Sequence, residues 1–318
     1  MHSRLVVIRY SPWLRRAITA TVFVVAALAF PQAALAGISV SGNITSSTTW
    51  AVADSPITVT DDVTVAAGVT LTVDAGVTVK FDAGKVMEVD GTLVARGTSG
   101  SKVTFTSSAA SPAAGDWAQI IFLDSATDAS FDGNGDYTGG SILEHCVIEY
   151  GGGSSVDGAV EVNQALPFIN YCTIRYSASN GINYKSGSLK VHNSTITQNN
   201  GHGIALNADP AYSVSLVNNT VSNNSSQGIS IYKVGVGHIG SVTIDNNTVT
   251  ENGSYGIEIT ISNSDLTITN STISGNTATY GGGIVNTQSG AVTLLSSTVG
   301  FNIGSSGANI WNSGSTLI

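Results

Sequence analysis

The chain has 318 residues, with 12 Lys and Arg against 21 Asp and Glu, and only 10% of its residues are charged. The acidic balance disfavours nucleic acid as a partner, because polyanions bind basic surfaces. Two cysteines allow one disulfide at most, which excludes a cysteine-stapled scaffold, and 36 glycines with only 6 prolines argue against collagen.

Residues 1–36 have the pattern of a secretory signal peptide. "MHSRLVVIRYSPWLRR" carries arginines and no acid, "AITATVFVVAALAF" is apolar, and Ala34 and Ala36 form the Ala-x-Ala cleavage pattern. The alternative is a retained membrane anchor, which the short apolar run disfavours. We therefore expect cleavage after Ala36, no transmembrane segment in the mature chain, and a protein that is secreted or at the cell surface.

The next segment precedes the regular repeats. Residues 37–55 are predicted to cap the N-terminal end of the fold. In residues 56–106, short alternating runs are broken by Ala-Gly or Asp-Gly pairs, which predicts early β-helix coils. "SSAASPAAGDW" and "LDSATDASFDGNGDYTGG" interrupt that rhythm, so residues 107–140 are predicted as loops leaving the coil. Together, residues 56–140 are early coils with loop insertions.

From residue 141 to 318 the chain repeats a unit of 22–28 residues. A unit this short cannot bury its apolar face alone and must stack on its neighbours. The recurring apolar positions are Ile148, Ile174, Ile196, Val221, Val249, Ile273 and Val299. Five residues earlier come Leu143, Ile169, Val191, Leu216, Ile244, Ile268 and Leu294. Glycine-isoleucine pairs begin a further strand at 181–182, 203–204, 228–229, 256–257 and 283–284.

Stacking of these units predicts an all-β fold, a single-domain right-handed parallel β-helix, which is a solenoid. Equivalent positions would lie about 4.8 Å apart, and the inward apolar columns would form one continuous core. Asparagines three residues after the apolar position are predicted to adopt left-handed bends and to form one hydrogen-bonded ladder. They are Asn199, Asn224, Asn252, Asn276 and Asn302.

The last residues, "NIWNSGSTLI", start a strand of a new coil and contain no capping element. Solenoids need polar caps to cover their terminal apolar layers. We therefore expect that a longer natural chain continues the repeats beyond Ile318, or that another molecule covers this end.

Three stretches resemble known families. "GVTLTVDAGVTVKF" and "SILEHCVIEYGGG" resemble the opening of exported bacterial right-handed β-helix proteins, and "NSTISGNTATYGGGIVN" is similar to the repeat of polymorphic outer-membrane proteins. The resemblance spans residues 50–318 and implies export from a bacterial cell. It also implies the pectate-lyase-like superfamily, which contains polysaccharide lyases, hydrolases, epimerases and non-catalytic adhesins, so the activity stays open.

Candidate catalytic residues are Glu149, Arg175 and Glu161. Glu149 and Arg175 occupy the same column in adjacent coils, where a calcium-assisted lyase would place a carboxylate and a base. The alternative is a cross-coil ion pair without a function. Glu161 starts an outward row that reaches Glu258 four coils later, roughly 19 Å away. A glycosidase needs its two carboxylates about 5–10 Å apart, so Glu161 and Glu258 are too far apart to act as a pair. The row continues as Asn183, Ala205, Ser230, Glu258 and Val285.

The motif "DGNGD" is a candidate calcium site. Asp132, Asn134 and Asp136 alternate with glycines, so three oxygen ligands can converge on a hard cation. The alternative is an ordinary turn of Asp, Asn and Gly. Calcium is therefore a candidate cofactor, and the sequence indicates no other.

Two further columns have alternative interpretations. Cys146 and Cys172 fall at the same position of adjacent coils, where they could form a disulfide or fill the core as free thiols, and we prefer the thiols. Thr-x-Thr or Thr-x-Ser recurs at 195–197, 220–222, 248–250 and 272–274 and resembles ice-binding surfaces. Threonine is equally a good exposed strand residue.

The distribution of polar residues favours a non-catalytic function. Enzymes concentrate titratable groups in one cleft, whereas hydroxyl and amide side chains are what repeats here. We expect adhesion, or binding of a polysaccharide or cell-surface glycan. A polysaccharide lyase or hydrolase is the alternative, and an ice-binding face is a minor one. The ligand, the surface anchor and the oligomeric state are left open.

Overall fold

The repeated units of the sequence form turns of a solenoid in which each strand pairs in parallel with its counterpart one turn later. The computed structural model describes residues 37–207, 213–232, 242–260, 266–287 and 291–313. The predicted signal peptide, residues 1–36, and the predicted uncovered end at Ile318 lie outside the described residues. About ten turns stack, which confirms the predicted all-β parallel β-helix.

Sheet 1 contains ten parallel strands, one from each turn. Alternate side chains of each strand point into the solenoid, as in Leu189–His192, where Leu189 and Val191 are buried. The strands of sheet 1 are Thr48–Trp50, Thr70–Val73, Thr92–Arg96, Ile142–Glu144, Phe168–Asn170, Leu189–His192, Val214–Val217, Val242–Asp245, Leu266–Thr269 and Val292–Leu295.

Sheet 2 follows sheet 1 along each turn, and its inward row is the predicted apolar column from Ile148 to Val299. Two longer strands, Ile38–Ile44 and Ile57–Val65, run through sheet 2 into sheet 3. The other strands of sheet 2 are Thr78–Phe81, Val103–Ser107, Cys146–Glu149, Thr173–Arg175, Thr195–Thr197, Thr220–Ser222, Thr248–Thr250, Thr272–Ser274 and Thr298–Gly300.

Sheet 3 closes each turn and begins at the predicted glycine-isoleucine pairs. Its strands are Met87–Val89, Ile120–Phe122, Gly158–Ala165, Asn180–Gly187, Ile204–Asn207, Ile229–Tyr232, Ile257–Thr260, Ile284–Asn286 and Ile310–Asn312. A short 3-10 helix, Val52–Asp54, is the only helix among the described residues, and no helix there is long and apolar enough to cross a membrane.

The segment before residue 141 is more regular than the sequence indicated. Residues 37–55, predicted as a cap, supply strands to the first turn and pair directly with the second. The stretch 107–140, interpreted as loops, includes the sheet 3 strand Ile120–Phe122. It also includes a hairpin, Ser130–Phe131 with Tyr137–Gly139. Aromatic rings of this hairpin pack on Phe168, on the outer side of sheet 1.

The predicted core columns are confirmed in register. Leu143 pairs with Ile169, and the row continues in steps of one turn to Leu294. Most side chains of these rows are completely buried. Full burial of an Ile, Val or Leu side chain contributes roughly 1.5–3 kcal/mol, so the stacked rows are the main source of stability.

The predicted asparagine ladder is present and buried. Asn224 Nδ2 donates to Asn252 Oδ1 at 3.0 Å, and the same bond recurs from Asn199 to Asn302. The predicted left-handed backbone belongs to the residue before each ladder position, such as Asn223 with φ 56°, and not to the ladder asparagine. The ladder side chain can therefore point inward and bind the backbone N–H of the turn before it.

A second buried ladder lies between sheets 1 and 2 and was not predicted. The Asn219 Oδ1 accepts from the backbone N–H of Ser194, and Asn247 Oδ1 accepts from that of Asn219. Serines replace asparagine in other turns, where Ser271 Oγ accepts from the N–H of Asn247. No single residue type marks this column, because it contains both serine and asparagine, although each side chain accepts the same backbone bond.

Candidate functional site

The outward row of sheet 3 has the predicted register. Glu161 pairs with Asn183, and the row continues through Ala205, Ser230 and Glu258. Although these side chains point away from the apolar core, Asn183 is only 1% exposed and Glu161 only 3%. The row is therefore the floor of a recess and not an open face.

A groove of about 390 Å³ runs over this floor. We call it the sheet 3 groove. One wall is formed by residues that precede the repeat glycines, and the other by residues near the ends of the sheet 3 strands. The floor residues are Asn183, Ala205, Ser230 and Glu258. The first wall consists of Asp157, Asn180, His202 and Gln227, and the second of Asn207 and Tyr232.

Two buried polar atoms on the groove have no hydrogen-bond partner within the described residues. They are Nδ2 of Asn183 and Nδ1 of His202. Asn183 Oδ1 accepts from Asn207 Nδ2 at 3.4 Å, so only the amide nitrogen is unpaired. An unpaired buried polar atom costs roughly 1–3 kcal/mol. Because two of them line one groove, they are the strongest local indication of a bound polar ligand.

Glu258 lies at one end of the groove. Its Oε2 accepts from Gln227 Nε2 at 2.7 Å and from Ser230 Oγ at 3.1 Å. Burial lowers the pKa of His202. This effect outweighs the increase caused by the Glu258 carboxylate and the Gln227 hydrogen bond, so the pKa lies below its ordinary value. The imidazole is therefore neutral at pH 7, with one donor and one acceptor nitrogen, of which Nδ1 is unpaired.

The other end is held by Glu161, one of the predicted catalytic residues. Lys185 Nζ lies 2.9 Å from Glu161 Oε1 and 3.3 Å from Asp157 Oδ2. Burial lowers the pKa of Lys185, but the hydrogen bonds and charges of Glu161 and Asp157 outweigh it, so the pKa lies above its ordinary value. The ammonium group of Lys185 thus compensates the charge of the Glu161 carboxylate at the edge of the groove.

The structure brings Glu149 and Arg175 together on sheet 2. The Arg175 Nε and Nη2 atoms both donate to Glu149 Oε2, at 2.9 and 2.7 Å, and Thr106 Oγ1 donates to Glu149 Oε1 at 3.1 Å. The Arg175 guanidinium also lies over the Tyr176 ring, 5.0 Å from its centre. This geometry fits the ion-pair interpretation, and a catalytic role of the pair stays a prediction.

Acidic residues that are close in sequence lie on different faces. Glu144 ends a sheet 1 strand and binds Arg96 at 2.7 Å, Glu149 ends a sheet 2 strand, and Glu161 lies in sheet 3. His145 stacks on Tyr171 at a corner. Strands of three or four residues change direction so often that sequence proximity does not produce a cluster here.

The predicted calcium loop closes the hairpin over sheet 1. Asp132 Oδ1 accepts from the backbone N–H groups of Asn134 and Asp136, both at 2.9 Å. Its backbone also pairs with Asp136 and Gly135. This arrangement is a turn stabilised by an aspartate side chain. Within the described ranges, no three His, Cys, Asp or Glu side chains are grouped to hold a metal.

The two cysteines are buried free thiols. Cys172 Sγ donates to the carbonyl of Leu143 at 3.2 Å, and Cys146 Sγ to that of Ala95 at 3.4 Å. Burial, followed by the neighbouring Cys172 thiol, raises the pKa of Cys146 well above its ordinary value. Both side chains therefore act as core-filling groups, as preferred from the sequence.

The threonine columns form two parallel rows on the outer side of sheet 2. Thr195, Thr220, Thr248, Thr272 and Thr298 pair in register from turn to turn. The second row contains smaller hydroxyls in places and is more buried, with Thr197 Oγ1 at 3.3 Å from Ser222 Oγ. Differences in turn length therefore do not disturb the rows.

Sequence reasoning found the groove floor but missed both walls. His202 and Gln227 precede repeat glycines in turns, and Asn207 and Tyr232 lie at strand ends, so no alternation marks them. A usable signal was present, because the residue before the glycine is polar in consecutive repeats. It is Asp157, Asn180, His202, Gln227 and Tyr255.

The chain is similar to two solved structures and matches one family model. The chain is similar in structure to the A-module of the mannuronan C-5 epimerase AlgE4 from Azotobacter vinelandii, with 10% identity, 88% of this chain and 85% of that chain covered, and a TM-score of 0.39. It is also similar to the A-module of the mannuronan C-5 epimerase AlgE6 from the same organism, with 11% identity and a TM-score of 0.32. That similarity covers 88% of this chain and 87% of the AlgE6 module. No curated protein matches. A family model described as the right handed beta helix region matches residues 94–264, which include the floor and both walls of the groove.

Proposed function

The chain belongs to the right-handed β-helix family, and on that premise we propose that it is an exported or surface-displayed protein that binds a polysaccharide or cell-surface glycan without cleaving it. The observation that carries this proposal is the sheet 3 groove with its unpaired Asn183 amide and His202 imidazole nitrogens. Amide, imidazole, hydroxyl and carboxylate groups beside a tyrosine ring match the alternating polar and apolar surface of a sugar.

The length of the groove supports a polymer over a small ligand. Its floor crosses four consecutive turns from Asn183 to Glu258, which is roughly 14 Å at the strand spacing. Contacts repeated along such a floor add up, so that individually weak hydrogen bonds can hold a chain. Adhesion at a cell surface would use this binding to attach the protein to a glycan-coated partner.

The test is titration of the purified chain against a panel of soluble polysaccharides. We expect at least one glycan to retard the protein in affinity electrophoresis, with no new reducing ends and no ultraviolet absorbance from unsaturated uronates. Release of products from any polysaccharide would replace this proposal with the alternative lyase or hydrolase. Glu149→Ala together with Arg175→Ala would then have to abolish turnover if the sheet 2 pair is catalytic.

Calcium binding at Asp132, Asn134 and Asp136 is part of the proposal. The residues supply oxygen ligands in an exposed hairpin turn. Asp132→Ala with Asp136→Ala should lower the melting temperature more in calcium than in a chelator. An equal decrease in both conditions would leave the loop as a turn that needs no metal.

Ice binding is a second candidate because of the in-register threonine rows on sheet 2. A lattice-matching face needs hydroxyls at constant spacing, and stacked strands supply about 4.8 Å in one direction. Thr248→Tyr and Thr272→Tyr would place bulky groups on the row. A wild-type chain that changes ice-crystal shape, and a double variant that does not, would favour this function over glycan binding.

A further inference from the structure

Resting on the proposed glycan binding, we infer that the sheet 3 groove takes a neutral, hydroxyl-rich pyranose segment and rejects polyuronates. The inference concerns the chemical class of the ligand, which the fold alone leaves open. It follows from the charges at the groove, from the hydrogen-bonding roles that its unpaired atoms require, and from an apolar strip in its floor.

The charges at the groove disfavour an anionic polymer. Among the described residues that line it, Asp157 and Glu258 are the acidic side chains. The neighbouring cation, Lys185, is already held by Asp157 and Glu161. Burial keeps the His202 imidazole neutral. A uronate carboxylate would therefore lie near two carboxylates without a free cation from the described part of the chain, and like charges repel.

The groove presents an unpaired donor at Asn183 and an acceptor at Glu258, so a ligand that contacts both must accept at one point and donate at the other. Asn183 Nδ2 is a donor and needs an acceptor oxygen. Glu258 is an acceptor whose Oε2 already receives bonds from Gln227 and Ser230, so any further contact must come from a donor. A sugar hydroxyl fills both roles. A carboxylate only accepts and so cannot bond to Glu258, and an ammonium group only donates and so cannot satisfy Asn183 Nδ2.

The middle of the floor is apolar. Ala205 separates Asn183 from Ser230, and Tyr232 stands on the wall one turn further along. The C–H face of a pyranose ring can lie on such a strip while its hydroxyls reach the polar atoms on either side. One turn of the solenoid advances about 4.8 Å, so successive sugars would meet successive rows of the groove.

The experiment is affinity electrophoresis of the full chain in gels that contain neutral glucan, mannan or xylan, polygalacturonate, or chitosan. Asn183→Leu removes the unpaired donor at nearly constant volume and should weaken binding of the retarding neutral glycan about tenfold. Glu258→Gln should increase retardation by polygalacturonate. Glu251→Gln makes the same charge change at an exposed corner outside the groove and should alter neither. Melting curves confirm that each variant folds.

The outcomes separate the two proposals. Retardation by a neutral glycan that Asn183→Leu weakens supports both. If no polysaccharide retards the chain, glycan binding itself fails, and the inference fails with it. If polygalacturonate or chitosan retards the chain more strongly than every neutral glycan, glycan binding stands and the ligand class is wrong. Neutral binding that Asn183→Leu leaves unchanged would place the glycan outside the sheet 3 groove and overturn the inference.

Discussion

Left-handed backbone recurs at the corner between sheets 2 and 3 in seven consecutive turns, from Tyr150 to Phe301. Asn223, Glu251, Gly275 and Phe301 occupy this corner in consecutive turns, with φ between 56° and 69°. Glycine and asparagine tolerate this region, whereas a large side chain costs roughly 1–2 kcal/mol there. Phe301 is also 90% exposed, so its ring contributes little packing in return.

Phe301→Asn should therefore stabilise the protein. We expect an increase of about 0.5–1 kcal/mol in the free energy of unfolding, because the strain decreases and no buried contact is lost. Urea unfolding measures it. Gly275→Ala, at the same corner one turn earlier, is the matched control and should act in the opposite direction. Two changes of the same sign would show that the corner conformation is not the cause.

His192 should make stability depend on pH. Its ring packs edge-on to Phe168 and lies 2.9 Å from Ser215 Oγ, and burial, followed by the charge of Lys190, lowers its pKa to about 4. An unfolded histidine has a pKa near 6.5, so the unfolded state binds more protons between these values. The contribution of His192 to the free energy of unfolding is fully present above about pH 6.5 and is lost as the pH falls toward 4.

His192→Gln should reduce this loss. Because the ring is partly exposed, solvent screening lowers the effect, and we expect about 1–2 kcal/mol between pH 7 and pH 4.5 in the wild type. Urea unfolding at both pH values measures the difference for the two proteins. Burial lowers the pKa of His202 as well, so the unfolding free energy of the variant should still decrease with falling pH, but less steeply than in the wild type. An unchanged slope would contradict a role of His192.

At the scale of one turn, the repeat glycines and the asparagine ladder depend on each other. A Cβ atom at Gly228 would lie 2.5 Å from Val249 Cγ1 and 2.8 Å from the ladder amide of Asn252. The same close approach recurs at Gly181, Gly203, Gly256 and Gly283. The ladder can occupy the interior because the neighbouring column has no side chain.

Gly228→Ala should destabilise the protein by about 1–3 kcal/mol, because the new methyl group must displace a packed valine, a ladder amide or the backbone. Thermal unfolding followed by circular dichroism measures it. Gly133→Ala, in the hairpin loop where a Cβ meets nothing within 4 Å, is the control and should change little. A loss of the same size in both variants would point to glycine flexibility and not to the ladder.

The turns themselves were predictable, whereas the surface features were only partly so. The column from Ile148 to Val299 places an apolar residue at the same inward position in every repeat, so the sequence alone predicts its register. The hairpin that covers Phe168 occurs once, and nothing in its sequence states which sheet it meets. The floor of the groove follows from strand alternation, but its walls depend on how turns stack, which involves residues of several repeats.

At the scale of the described solenoid, the strands of each turn pair only with strands of the adjacent turns. The pairing runs strictly from one turn to the next, as from Ile204–Asn207 to Ile229–Tyr232 and on to Ile257–Thr260. Stability in such arrays is approximately a sum of local terms and interfaces between adjacent repeats. A lesion in one turn should therefore open its surroundings before it affects distant turns.

Hydrogen exchange of Gly228→Ala tests this local behaviour. Amides in Ile204–Asn207, Ile229–Tyr232 and Ile257–Thr260 should exchange faster than in the wild type, because they bond across the altered turn. Amides in Ile57–Val65 and Thr78–Phe81 lie several turns away and should keep their protection. Gly133→Ala serves again as the control. A uniform increase along the chain would mean that the solenoid unfolds as one cooperative unit.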